Sequence, residues 1–214
     1  ALCEKYRILA ILDLHAVPGC QNPDWHSDNA TGEPLFWEHV EFRDRVVALW
    51  KYIAGKYCND PRIAAYDLMN EPAGFGPECH RVNRFYGQLV GAIREVDKNH
   101  LLFLEGDMYA HDFTCFDLPT DPNIAYSFHH YPFFSFNSLK NLPDLASQLE
   151  KGLVSDPLYK DIVHRLKRPI WCGETGVPLN RGEEKEYYQL NREMLRVMDK
   201  LGIAWTLWTY KDAH

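Results

Sequence analysis

No stretch of this 214-residue sequence approaches the roughly 20 consecutive apolar residues that a membrane-spanning helix requires. Basic residues are in deficit: 23 Lys and Arg stand against 30 Asp and Glu, for a net charge of −7. Nothing in that balance attracts a phosphate backbone, so nucleic acid is not an expected partner. The six cysteines (3, 20, 58, 79, 115 and 172) include no CxxC pair, which argues against a zinc-ribbon or thioredoxin-type framework. A disulfide among them is open, without an assigned pairing. A Gly-rich phosphate turn is missing, as are internal repeats and linkers. No signal-peptide pattern opens the sequence, and Ala1 reads as lying inside an element.

What is present is ordinary for one globular domain: 46 % apolar and 25 % charged residues. Aromatics reach 14 %, with six Trp and twelve Tyr. That richness serves either a large core or surfaces that stack on sugar rings. Asn29-Ala30-Thr31 is a lone glycosylation sequon, a pattern that often arises by chance.

Hydrophobic patterning gives an alternating order of strands and helices. The apolar run Leu9–Leu14 reads as a buried strand, followed by a Gly-, Asn-, Asp- and Pro-rich loop from Pro18 to Pro34. That loop exceeds an ordinary connection, which suggests a functional one. Helical spacing follows over Phe36–Tyr57, then a strand over Ile63–Met69, a helix over Val82–Val96 and a strand over Leu101–Leu104. Ile124–Phe128 reads as a strand, Leu139–Leu166 as a looser helical region and Pro169–Cys172 as a strand. Glu183–Leu201 is helical, with acidic residues first and basic ones last, and Ile203–Leu207 is a sixth strand. Such alternation predicts parallel strands joined by right-handed crossovers.

Polar residues gather at the strand ends: Asp13 and His15, Asn70 and Glu71, Glu105 and Asp107, His129 and Tyr131, Glu174, Trp208. In a (β/α) barrel these positions form the face that carries active sites. A doubly wound sheet also binds ligands there but calls for the phosphate turn that is missing. One Glu at a strand end is commonly a solvated residue or an ion-pair partner. Two of them among His, Asn, Tyr and Trp point to glycoside hydrolysis, which needs one carboxyl as acid and another as nucleophile or base. Separations of about 5–5.5 Å give retention, and about 6.5–9.5 Å inversion. Asn70 can hold a sugar hydroxyl, Pro72 fixes the turn behind Glu71, and Gly173 lets the backbone bend before Glu174. A hydrogen bond from Tyr131 would keep Glu174 ionised. His15, His129 and His130 also invite a metal reading. However, the early strand offers Asp13-x-His15 instead of the His-x-His of zinc hydrolases on barrels.

The segments ILDLHAVPG, YDLMNEPAG, FLEGD, YSFHHYP, PIWCGETG and AWTLWTYKD resemble glycoside hydrolase family 5, the cellulase family of retaining (β/α)8-barrel glycosidases. They look like its third through eighth strands, and the resemblance runs over nearly the whole chain. It implies an α/β fold of TIM-barrel type with six strand–helix units. The domain is expected to span 1–214, without the barrel's first two strands, an Arg at the end of the second, and the last helix. It further implies Glu71 as proton donor and Glu174 as nucleophile, and Asn70 on the substrate 2-hydroxyl. His15, His129 and Tyr131 would shape the subsite of the attacked sugar, with Trp208 stacked beneath it. No role carries over to His130. No metal or cofactor is implied, the substrate is a β-linked carbohydrate, and a secreted setting is suggested. The leading expectation is an endo-β-1,4-glucanase. β-Mannanase and β-1,3-glucanase specificities, and a non-catalytic carbohydrate-binding fragment, are the alternatives. With six strands, Leu9 and Ile203 would begin open edges, and a homo-oligomer covering them is expected.

Overall fold

The computed structural model describes residues 2–74, 80–117, 120–132, 144–177 and 184–209. The chain divides into two units, Ala1–Tyr126 and Ser127–His214.

The first unit opens with a short helix α1 (Leu2–Tyr6) and then alternates: β1 (Ala10–Asp13), α2 (Val40–Tyr57), β2 (Ile63–Asp67), α3 (Arg81–Val96), β3 (Leu101–Glu105) and the start of β4 (Ile124–His129). The strands are parallel, with sheet order following chain order. Asp13 stands opposite Asp67, and Asp67 opposite Phe103. β1 and β2 therefore end level, β3 runs two residues further, and the residues after all three leave the sheet at one edge. Parallel pairing demands a crossover, and α2 and α3 supply it.

Helix α3 turns Val82, Phe85, Tyr86, Leu89 and Ile93 inward, the three-to-four spacing read from the sequence. Helix α2, packed against it, contributes Val46, Trp50 and Ala54. Trp50 is 1 % exposed and donates its indole N–H to the Leu68 carbonyl at 2.9 Å, so its one polar atom is satisfied. Phe36 packs edge-on against Phe85, centroids 5.0 Å apart. The sequence placed Phe36 inside the helix. It sits instead in a 3-10 turn, Leu35–Trp37, that follows Pro34 and lies ahead of the extended His39.

The second unit carries the end of β4, then α4 (Leu145–Ser155), α5 (Pro157–Lys160), a π-helical turn (Asp161–Leu166), β5 (Ile170–Thr175), α6 (Glu184–Leu201) and β6 (Ala204–Leu207). The helical reading over Leu139–Leu166 is resolved into three pieces from Leu145 onward, and its first residues lie outside the described ones. Asp156 breaks the region in two: it caps α5 by accepting from Leu158 N at 2.9 Å. Helix α6 buries Tyr187, Leu190, Met194, Val197 and Met198, and packs on α4. Strand β5 pairs in parallel with β6.

The first strand differs from its sequence reading. The run Leu9–Leu14 is not a buried strand: Leu9 is 63 % and Ile11 39 % exposed. Among the described residues β1 pairs on one side only, with β2, and composition does not reveal how many neighbours a strand has. Of the cysteines, Cys115 is disulfide-bonded, while Cys3, Cys20, Cys58 and Cys172 are free. The alternating strand–helix order matches the expected (β/α)-barrel class, with six units. No described helix is long and apolar enough to cross a membrane.

Candidate active site

In the first unit the site begins where β1 and β2 end. His15 lies two residues beyond β1, its Nδ1 3.0 Å from Asp13 Oδ2. Gln21, fully buried, comes back from the long loop. Its Nε2 donates to the carbonyls of His15 (2.9 Å) and Asn70 (2.8 Å), and its Oε1 accepts from Val17 N. One side-chain amide thus fixes the backbone of two predicted substrate-binding residues. The neighbouring Asn22 does the same for Glu71, its Nδ2 donating to that carbonyl at 2.9 Å.

Asn70 is 2 % exposed, and its Nδ2 has no hydrogen-bond partner among the described residues. Leaving a buried donor unpaired costs about 1–3 kcal/mol. An incoming hydroxyl oxygen would satisfy it.

Glu71 adopts φ +45°, a left-handed conformation that costs a non-glycine residue about 1–2 kcal/mol. Strain of this kind persists where the surroundings over-determine it. Here its N–H donates to Glu105 Oε2 at 2.7 Å and its carbonyl is held by Asn22. Glu105, at the end of β3, is almost wholly buried. Sequence reading noted Glu105 among the strand-end residues without giving it a role. Gln21 and Asn22 left no signal beyond the unusual length of their loop.

The chain after β3 is strained as well: Met108, Tyr109 and Ala110 all have φ between 52° and 65°. Asp107 holds this turn, its Oδ1 accepting from Gly74 N and Met108 N at 2.8 and 2.7 Å. Burial raises the Asp107 carboxyl above its usual range, with those two N–H donors opposing. Tyr109 N–H donates to the Pro72 carbonyl at 3.1 Å, which ties the turn to the segment after Glu71. Burial pushes the Tyr109 phenol up. Its hydrogen bond to Asp24 and the charges of Asp24 and Glu71 push the same way.

In the second unit Glu174 is the centre. Tyr131 donates its hydroxyl to Glu174 Oε2 at 2.6 Å, and His129 Nδ1 lies 3.5 Å from the same oxygen. A short O–H donor on a carboxylate favours its charged form. The backbone is fixed as tightly, with His130 N donating to the Glu174 carbonyl at 2.9 Å. Strand β5 runs through Thr175, so Glu174 lies within the strand and not just beyond it. The β5–β6 register shifts between Cys172 and Thr175, an irregularity of the kind that re-aims side chains beside active sites.

Gly173 serves close approach here: a Cβ at this position would sit 2.5 Å from Ser127 Oγ and 3.4 Å from His129 Nε2. Gly173→Ala is therefore expected to clash with Ser127 Oγ, shift the backbone beside Glu174 and lower kcat/KM about a hundredfold, the usual scale for a misplacement of about 1 Å. Thermal melts beside the kinetics would separate this from unfolding. An unchanged kcat/KM would show that Ser127 yields without moving Glu174.

Trp208 follows β6, donates its N–H to the Thr175 carbonyl at 2.8 Å and leaves its side chain half exposed. The structure thus gathers His15, Asn70 and Glu71 in the first unit, and His129, Tyr131, Glu174 and Trp208 in the second.

The model of the cellulase family, glycosyl hydrolase family 5, matches residues 1–214. A β-xylosidase of Phanerodontia chrysosporium is 34 % identical over 99 % of the chain and 46 % of its own length. Endoglucanase C of Acetivibrio thermocellus is 23 % identical over 98 % of the chain and 70 % of its own length. The chain therefore spans about half the length of the first of these relatives. Among solved structures, the cellulose synthase subunit Z of Clostridioides difficile shares the fold with a TM-score of 0.75, at 16 % identity, over 98 % of this chain and 69 % of its own. Thermotoga maritima Cel5A with cellobiose, in mutant form, does so with a TM-score of 0.71, at 18 % identity, over 98 % and 64 %.

Proposed function

The chain belongs to the cellulase family, glycosyl hydrolase family 5, and from that premise we propose that it hydrolyses β-linked glucans, β-1,4-glucan first among them, with retention of anomeric configuration. The observation that carries the proposal is the Tyr131 hydroxyl donating to Glu174 Oε2 at 2.6 Å, a hydrogen bond that favours the ionised form a nucleophile needs.

In the proposed sequence, Glu174 attacks the anomeric carbon while Glu71 gives its proton to the departing glycosidic oxygen. The product of this step is a glycosyl ester on Glu174. Glu71, now a carboxylate, takes a proton from water, and the water oxygen displaces Glu174 from the anomeric carbon. Asn70 Nδ2 donates to the sugar 2-hydroxyl, a bond that strengthens as positive charge develops on the ring. His15, His129 and Tyr131 surround the sugar under attack, and Trp208 stacks beneath it. Glu105, Gln21 and Asn22 keep the acid/base and its neighbours in place, so little reorganisation is left for the chemical step. The disulfide at Cys115 supports a secreted setting, since such bonds persist in oxidising compartments.

The relative named β-xylosidase favours a second substrate reading, a β-xyloside. Both readings are tested by incubating the protein with carboxymethylcellulose, barley β-glucan, laminarin, mannan, and aryl β-glucosides and β-xylosides, following the first-formed anomer by proton NMR. β-Anomer released from a β-1,4-glucan is the expected result. Initial α-anomer would overturn retention, and preference for a xyloside would replace the glucan. A folded protein that binds glucan without cleaving any substrate would leave the carbohydrate-binding reading.

A further inference from the structure

We propose that His26 is a positioning residue for the acid/base carboxyl of Glu71, an inference that rests on the Glu71 role given above. His26 Nδ1 lies 3.4 Å from Glu71 Oε2, and its Nε2 lies 4.0 Å from Asp24 Oδ2. The imidazole thus presents one nitrogen to each of two carboxyl groups. Tyr109 closes the group from the other side: its ring centroid is 6.3 Å from that of His26, and its hydroxyl is bonded to Asp24. Among the described residues of this unit, the titratable groups facing His26 are Asp24, Glu71 and Tyr109, while Trp25 meets its ring edge-on at 5.9 Å.

The placement is built and does not depend on one loose side chain. His26 sits in a 3-10 turn, Trp25–Ser27, inside the long loop. Ser27, fully buried, bonds through its Oγ to the carbonyls of Asn22 and Asp24, both at 2.8 Å. Asn29 Nδ2 donates to the Asn22 carbonyl at 2.9 Å, and Asp24 N donates to Asn22 Oδ1 at 3.0 Å. Asn22 is itself bonded to the Glu71 carbonyl. The turn is therefore anchored to the residue its histidine faces. A surface ion pair between exposed side chains would be screened and weakly directed. Here the side chains of His26 and Glu71 are 23 % and 15 % exposed.

His26 Nδ1 faces one carboxyl oxygen of Glu71, and an N–H donated across that gap would set the orientation of the carboxyl that passes its proton to the leaving group. It fixes the Glu71 rotamer in the first step and holds the carboxylate in place while it receives a proton from water in the second. Removing it lets the carboxyl turn away from the scissile oxygen. That loss falls on substrates whose departure needs a proton and spares those whose leaving group departs unaided.

The test compares the parent with His26→Leu, His26→Asn and Glu71→Gln on 2,4-dinitrophenyl β-cellobioside, which leaves without acid help, and on cellotetraose, which does not. Asn carries an N–H near the place of Nδ1. His26→Leu is expected to lower kcat/KM about tenfold to a hundredfold on cellotetraose and less than about threefold on the aryl glycoside, a part of the roughly 10²–10⁴-fold that acid–base catalysis supplies. His26→Asn should recover most of the loss. Equal losses on both substrates, or none, from a folded His26→Leu protein overturn the inference while Glu71→Gln still discriminates between them. If Glu71→Gln does not discriminate, the acid/base reading of Glu71 fails, and the inference about His26 falls with it.

Discussion

Glu174→Ala should lower kcat on β-1,4-glucan by at least about a thousandfold, the scale on which covalent catalysis fails when its nucleophile is deleted. The protein should remain folded, since Glu174 is tied into β5 mainly through its backbone, by His130 N and by the pairing of β5 with β6. Sodium azide is small enough to enter the space the side chain vacates, and on an activated aryl β-glycoside it should restore turnover. Azide would then displace the leaving group directly from the opposite face and give an α-glycosyl azide. Glu71→Ala under the same conditions should give the β-azide, because Glu174 would still form the ester and azide would attack it in a second inversion. Proton NMR of the two products assigns both roles at once. A β-azide from Glu174→Ala would exchange them, and no loss of activity in either variant would remove the carboxyl pair from the mechanism.

Glu105→Ala has the second largest expected effect, although Glu105 has no proposed contact with substrate. Its Oε2 accepts the N–H of Glu71, a residue held at φ +45°. Without that acceptor a partly buried N–H is left unpaired, at about 1–3 kcal/mol, and relaxing the left-handed φ becomes the favourable response. The Glu71 side chain then swings with its own backbone. We expect kcat to fall about a hundredfold with KM within about threefold of the parent, since the lost interaction serves the transition state more than substrate binding. Glu105→Gln keeps an oxygen acceptor and should be intermediate. Steady-state kinetics with a thermal melt would decide: a parent-like kcat in Glu105→Ala would show that Glu71 keeps its geometry without the buried carboxylate.

Much of this was legible before any coordinates. The alternation of strands and helices rests on periodicity, and the helical face of α3 emerged as its spacing implied. Asn70-Glu71-Pro72 and Gly173-Glu174 are short local signatures, and the family match over residues 1–214 agrees with the resemblance drawn from them. The illegible part depends on partners far away in sequence. Gln21 and Asn22 read as loop filler, because a side-chain amide declares its purpose only when its acceptors, Asn70 and Glu71, are brought beside it. Glu105 looked like any acidic residue at a strand end until its acceptor role 34 positions away was in view. The burial of Leu9–Leu14 was misjudged because an apolar run records hydrophobicity and not the number of neighbouring strands. His26 lies inside the long loop, and its approach to Glu71 depends on a 3-10 turn that Ser27 and Asn22 create together.

The double grip of Gln21 and Asn22 sets a boundary on how this loop can vary. A segment from a relative can be exchanged between about positions 30 and 33 while sparing both amides, His26, and the Asp24, Ser27 and Asn29 contacts that hold Asn22. An exchange that reaches back to position 21 would unfasten the carbonyls of His15, Asn70 and Glu71 together. Substrate preference is thus modular only inside the pins, and a loop transplant that ignores them would lose turnover before it changed specificity.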